Sequence, residues 1–246
     1  MGAAKGRAMI TVRQPEEIYQ ARGEIEGGMF HGRWHFAFDQ YRDPKYMRFG
    51  SLRVFNDDTL SSGAVWPLHY HRNIEVVTYC AAGEFRHADQ RGRGGVLKKG
   101  WAQHTTVGRG MYHSEINNLP DQPMRFIQMW FLPTERNLEP AVEQKSVERE
   151  ERLNRFLPLV SNEQTGALPI RSDAQVLACF LEVGRAVQHP ISAGWGAYMY
   201  VLEGGPVQLD GHRMPAFAAA QVTQETSLRA EAEGDAEILL VGVRLA

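Results

Sequence analysis

Cysteine is scarce: Cys80 and Cys179 are the two in 246 residues, far apart and in no CxxC pair. That argues against a disulfide framework and for a reducing compartment. No apolar run approaches the roughly 18 residues of a membrane-spanning helix. The basic residues of Met1 to Ile10 lead into no apolar leader core, and Met1-Gly2 lacks the Ser or Thr at position 6 that an acylation start needs. The expected location is the cytoplasm. Neither sign of charge dominates, with 27 Lys plus Arg against 29 Asp plus Glu and a net charge of -2. The basic footprint of a nucleic-acid binder is therefore missing. No coiled-coil pattern or long apolar edge asks for a second copy, so a monomer is expected.

What is present is a globular composition, 43% hydrophobic and 23% charged, rich in short β-prone runs. Residues 1–8 read as an extension before the first apolar pattern, Met9 to Val12. Val54-Phe55, Ile74 to Cys80, Arg125 to Leu132, Val176 to Val183, Tyr198 to Leu202 and Ile238 to Val243 are the clearest strands. Asn56-Asp57-Asp58, Ala82-Gly83, Gly92 to Gly95, Gly204-Gly205 and Asp210-Gly211 read as turns. Many short strands between glycine-rich turns predict an all-β barrel or sandwich. Glu135 to Phe156 is polar and reads as a linker, with a helical turn or two near Val147–Phe156. The run Glu148 to Arg152 within it reads as a solvated face. Glu75 to Gly83 can be laid against Gly196 to Gly204, and Met124 to Gln128 against Ala236 to Leu240. The halves are thus expected to be related β domains, 9–145 and 146–246.

Histidine is the uneven residue. Seven of the nine lie between His31 and His113. His69-Tyr70-His71 and His113-Ser114-Glu115 are both i, i+2 pairs, and on a strand such residues share a face, roughly 6.5–7 Å apart. Two such strands facing each other inside a barrel could bring three imidazoles and one carboxylate to one ion. That donor set suits a single divalent Fe, Mn, Co, Ni, Cu or Zn, and not a thiolate or all-oxygen site. It resembles the logic of non-haem iron sites with one more histidine, which places Fe(II) first. His31, His35, His87 and His104 read as core or surface histidines. No HxH or HxE follows residue 115, so the second domain is expected to be metal-free.

Gly63-x5-His69-x-His71-x3-Glu75-x7-Gly83 resembles the first cupin motif, and Gly110-x2-His113-x3-Asn117 the end of the second. Trp34-His35-x-Phe-x-Phe38, Tyr41-x-Asp43-Pro44, Leu52-Arg53-Val54-x-Asn56-Asp57-Asp58, Gly108-x-Gly110-x-x-His113-Ser114-Glu115 and Gln128-x-Trp130-x-x-Pro133 together resemble the pirin family. The likeness is to its shorter bacterial members described as quercetin 2,3-dioxygenases. It is specific from about Met9 to Val147, and continues beyond only as a general two-cupin shape. It implies two cupin barrels (jelly rolls) in tandem with few short helices. It also implies that the ligands are His69, His71, His113 and Glu115. Glu75, a ligand in many cupins, then holds the far nitrogen of a ligand histidine or packs nearby, or else is an alternative ligand.

The resemblance further implies opening of a flavonol such as quercetin by O2 with release of carbon monoxide. Glu115 would take the 3-hydroxyl proton as catalytic base. A flat substrate would want an aromatic pocket, for which Trp34, Phe36, Phe38, Trp66 and Trp101 are available, with Gln103 and Gln128 as polar pocket residues. The competing reading is a regulatory metal module that binds a protein partner without turnover. The ligand set fits both, because fold does not fix function.

Overall fold

The computed structural model describes residues 9–245, and the extension expected at residues 1–8 lies outside the described residues. The strands are β1 (Met9–Arg13), β2 (Tyr19–Ile25), β3 (Gly28–Trp34), β4 (Leu52–Leu60), β5 (Val65–His71), β6 (Glu75–Ala82) and β7 (Glu84–Asp89). They continue with β8 (Gly94–Lys98), β9 (Ala102–Thr106), β10 (Met111–Asn117), β11 (Met124–Phe131), β12 (Ala141–Lys145), β13 (Leu157–Ser161) and β14 (Ala174–Leu181). The last are β15 (Ala186–Pro190), β16 (Trp195–Gly204), β17 (Val207–Leu209), β18 (His212–Met214), β19 (Ala219–Thr223), β20 (Ser227–Ala232) and β21 (Ala236–Arg244). Among the described residues every helix is a short 3-10 turn, at Pro15–Glu17, Pro44–Tyr46 and Arg149–Arg152. No helix there is long and apolar enough to cross a membrane.

The chain forms two compact units. The first holds residues 18–149 and 159–174, the second residues 9–17, 150–158 and 175–245. In the first unit a sheet ordered β12-β9-β6-β11-β4-β3-β2 faces a sheet ordered β5-β10-β7-β8. In the second lie β15-β20-β17-β18 and β19-β16-β21-β14, the latter flanked in its sheet by β1 and β13. Adding ten to each label of β5-β10-β7-β8 and of β9-β6-β11-β4 gives the second unit's orders. Each unit is therefore a cupin jelly roll, as expected. The two segments matched between the halves fall on β6 and β16, and on β11 and β21.

The division is not the single cut expected at 145/146. Antiparallel pairing of β1 with β19, from Met9↔Thr223 to Arg13↔Ala219, puts the first strand in the second unit. Residues 159–174 return to the first unit, where the Arg171 amide donates to Glu75 and the Arg171 carbonyl accepts from the Thr134 amide. Nor is the run Glu148 to Arg152 wholly a solvated face. Arg152 is 3% exposed and pairs with buried Glu237 at 2.9 Å. The two cysteines are buried free thiols, Cys80 in the core of one unit and Cys179 in that of the other.

Asn56-Asp57-Asp58 is not a turn: it lies in the middle of β4, paired with Gln128, Ile127 and Phe126 of β11. The polar run survives there because period-2 alternation sorts it. Asp57 accepts two bonds from the Arg125 guanidinium, at 2.7 and 2.6 Å, with Arg33 3.9 Å away. Asn56 and Asp58 point to the other face, between the sheets.

Candidate metal centre

The site is built on two neighbouring strands of the smaller sheet. β5 and β10 pair antiparallel, with His69 opposite His113 and His71 opposite Met111. The register then slips, so that Glu115 faces Trp66. Pro67 sits in the slipped stretch, where a residue without an N–H costs no ladder bond. Its carbonyl accepts from His69 Nδ1 at 2.8 Å. A carbonyl can only accept, so the proton is on Nδ1 and the lone pair is on Nε2.

That lone pair faces His113 Nε2 across 3.0 Å. His113 Nδ1 lies 3.2 Å from His87 Nε2. With His113 donating there, its Nε2 also presents a lone pair. His71 Nε2 is buried with no hydrogen-bond partner. The ligand atoms of these three histidines all lie within 4.8 Å of one another, and they form the one such cluster among the described residues. Glu115 closes the group: Oε1 is 3.8 Å from His113 Nε2, and Oε2 is 3.8 Å from His69 Nε2. Glu115 is 3% exposed and its Oε2 has no hydrogen-bond partner. Converging lone pairs and an orphaned carboxylate oxygen, all buried, are what a cation would satisfy.

A relay fixes the carboxylate. Trp130 Nε1 donates to Gln128 Oε1 at 2.9 Å, and Gln128 Nε2 donates to Glu115 Oε1 at 2.7 Å. The indole has only a donor, so it sets which way the amide points. Trp130 also packs its ring on His71, centroids 4.5 Å apart.

Burial pushes His71 down to about 4, helped by the charges of His69 and His113 and opposed by Glu115. Burial first, then His69 and His87, push His113 down to about 3. His87 is lowered by burial, against the pull of Glu115 and Asp89. At neutral pH these rings are bases with free lone pairs, the form a metal takes.

A cavity of about 70 Å³ adjoins the cluster, lined in part by Phe38, Trp66, Phe126, Trp130 and Gln128. Of the aromatics expected there, Phe38 and Trp66 take their places. Trp34, Phe36 and Trp101 do not: they are absorbed into apolar packing, with Trp34 in a cluster with Ala21 and Tyr41 and Trp101 against Leu97 and Phe85. Phe126 and Trp130 replace them because β11 runs through the facing sheet. Gln103 also lies elsewhere, on β9, where it bonds Thr105 and Gln144. Glu75 is remote from the cluster. Its Oε2 accepts from His104 Nε2 at 2.9 Å, Thr106 Oγ1 at 3.1 Å and the Arg171 amide at 3.1 Å. His87, Asn56 and Asp58 join the site unannounced by any i, i+2 histidine pattern.

Two jelly rolls in tandem, one with a three-histidine centre beside a glutamate, define the class as a bicupin. The Pirin family model matches residues 17–131, and the model described as the quercetinase C-terminal cupin domain matches residues 159–243. The chain is 33% identical to a pirin-like protein of Caulobacter vibrioides, over 89% of this chain and 94% of that one. It is 28% identical to the quercetin 2,3-dioxygenase of Escherichia coli K12, over 91% and 97%. A Pseudomonas aeruginosa protein provisionally named as such a dioxygenase is 35% identical, over 90% and 95%. The crystal structure of the bacterial pirin YhhW from Escherichia coli in complex with nickel(II) superposes with a TM-score of 0.88 at 26% identity, covering 97% of this chain and all of that one. The chain belongs to the pirin family.

Proposed function

We propose that this protein is a pirin-type dioxygenase that opens a flavonol with O2 and releases carbon monoxide. The observation that carries the reading is the convergence of His69, His71 and His113 beside Glu115, with two buried, unpartnered atoms, His71 Nε2 and Glu115 Oε2. The names of the bacterial relatives support it. The three Nε2 atoms and Glu115 Oε2 would hold one divalent transition metal, Fe(II) first. When bound, such a metal supplies Lewis acidity to a substrate oxygen and access to O2 chemistry. Glu115, alternating between ligand and base, takes the proton of the flavonol 3-hydroxyl on Oε2 of its carboxylate, the oxygen without a hydrogen-bond partner. Gln128 holds that carboxylate in place through Oε1, leaving Oε2 toward the histidines. Phe38, Trp66, Phe126 and Trp130 exclude water around the transfer. The cavity of about 70 Å³ is smaller than the roughly 300–1,000 Å³ of pockets for drug-sized ligands, so a flavonol's entry requires lining side chains to move.

The test is anaerobic loading with Fe(II), Mn, Ni or Cu, then O2 and quercetin, following flavonol absorbance and carbon monoxide. A fully loaded, folded protein with no turnover under any of these metals would favour the regulatory, non-catalytic reading instead. Glu115→Gln should lower kcat about 100-fold or more, the usual weight of a positioned base. Unchanged turnover in that variant would remove the base role.

A further inference from the structure

The wall facing the histidines carries two polar side chains with no part in holding a metal. Asn56 and Asp58 sit two apart on β4, so the pleat turns both into the cavity shared with His69, His71 and Glu115. Asn56 is 3% exposed, and its Oδ1 is buried with no hydrogen-bond partner. Asp58 is 5% exposed, and its hydrogen bond comes from an uncharged donor, Trp34 Nε1 to Oδ1 at 3.0 Å. Gly32, opposite Asp58 on β3, makes that bond fit. A Cβ there would lie 2.0 Å from Asp58 Oδ1 and 2.8 Å from Trp34 Nε1.

The neighbouring carboxylate has the opposite surroundings: Asp57 faces Arg125 and Arg33 on the other side of the sheet. Two adjacent acids in contrasting environments are how a fold keeps one ionised and the other neutral. Burial pushes the Asp58 carboxyl up to about 8, with Asp57 and Glu115 adding to the rise against the Trp34 bond. At pH 7 Asp58 is therefore mainly a carboxylic acid with a hydroxyl to donate. Asn56 beside it has an acceptor to fill.

We propose that Asn56 and Asp58 form a polar subsite on the wall facing the metal ligands, which binds a hydroxyl of the ligand away from its chelating edge. A hydroxyl, phenolic or alcoholic, both accepts and donates, so it can take the Asp58 proton's hydrogen bond and give its own to Asn56 Oδ1. The ligand class is a conjugated hydroxy-ketone with a second hydroxyl. An analogue without that hydroxyl leaves two buried polar groups unpaired, which is how a site rejects it. The inference rests on the pocket taking an oxygen-rich ligand, as proposed above.

The test uses nickel-loaded full-length protein without O2 and two probes: quercetin, and kojic acid, a small hydroxypyranone with a chelating edge and a separate hydroxyl. Asp58→Leu and Asn56→Leu should each weaken kojic acid binding about tenfold or more while nickel affinity stays unchanged. Asp58→Asn, which keeps an N–H donor and an acceptor for Trp34, should recover to within about threefold of the parent. Infrared spectra of the metal-free protein at pH 7 should show a carboxylic acid band that Asp58→Asn removes, a reading available even if Asp58→Leu fails to fold. Parent-like binding in both leucine variants, or no such band, overturns the subsite. Kojic acid binding that depends on Asn56 and Asp58, with no quercetin binding, keeps the subsite and sinks the flavonol reading. Binding of neither probe sinks both.

Discussion

His87 Nε2 is the hydrogen-bond partner of His113 Nδ1, and with His113 donating there its Nε2 turns a lone pair into the cluster. His87→Ala should weaken nickel binding about 10–100-fold, the usual cost of removing the partner of a ligating histidine. Chelator competition reads this directly, and an affinity equal to the parent's would show that His113 needs no such partner. His87 has no histidine two residues away, and its same-face neighbour Asp89 is taken up by Arg91 and Arg93, so the paired-histidine pattern does not mark it. Its place comes from long-range register, with His87 opposite Glu115 and one strand over from His113. Asp58 was equally hidden, because Asn-Asp-Asp is turn chemistry until Arg125 and Arg33 are seen to neutralise the middle residue. It also makes stability depend on pH with a definite sign. The folded carboxyl is raised from 3.8 to about 8, so its contribution is fully present below pH 3.8 and is lost as pH rises toward 8. The stability of the parent minus that of Asp58→Asn should therefore fall steadily from pH 5 to 8 in urea titrations. A flat difference would mean that Asp58 is ionised throughout.

At the scale of elements, the convergence of the two i, i+2 pairs was legible because a strand repeats every two residues, a rule local to β5 and β10. The slip between these strands was not legible, since Pro67 could equally have marked a turn. The 3-10 turn Arg149–Arg152 shows the limit of composition: five charges in a row look solvated, yet the last is buried against Glu237 of β21. Arg152→Met alone should cost about 3–5 kcal/mol, because it strands a buried carboxylate. The double variant Arg152→Met with Glu237→Leu should lie closer to the parent in urea midpoint. A single variant no worse than the double would show that the pair is not coupled.

For the whole molecule, the doubled architecture showed in only two sequence matches, on β6/β16 and β11/β21. These are the central strands, where apolar runs are densest and least free to drift. The shorter strands kept their order and lost their resemblance. β15 stands where β5 does in strand order and carries one histidine, His189, bonded to Gln175 instead of facing others. β1 covers the edge of β19, and its Ile10 and Val12 pack on the second unit's core. Deleting residues 1–13 should bare that edge and produce self-association by size-exclusion chromatography. A monodisperse variant would show that the edge needs no cover.

The β1–β19 pairing also imposes a schedule on synthesis. Met9 leaves the ribosome more than two hundred residues before its partner Thr223. At about 5–20 residues per second, the first strand waits on the order of 10–40 s for its place in a sheet. Every strand from β2 to β12 is made within that interval, so the histidine cluster can assemble and meet its ion while the chain's leading strand is still unpaired. A translational stall between the two units would strand the molecule there, metallated and with its first strand unsheltered.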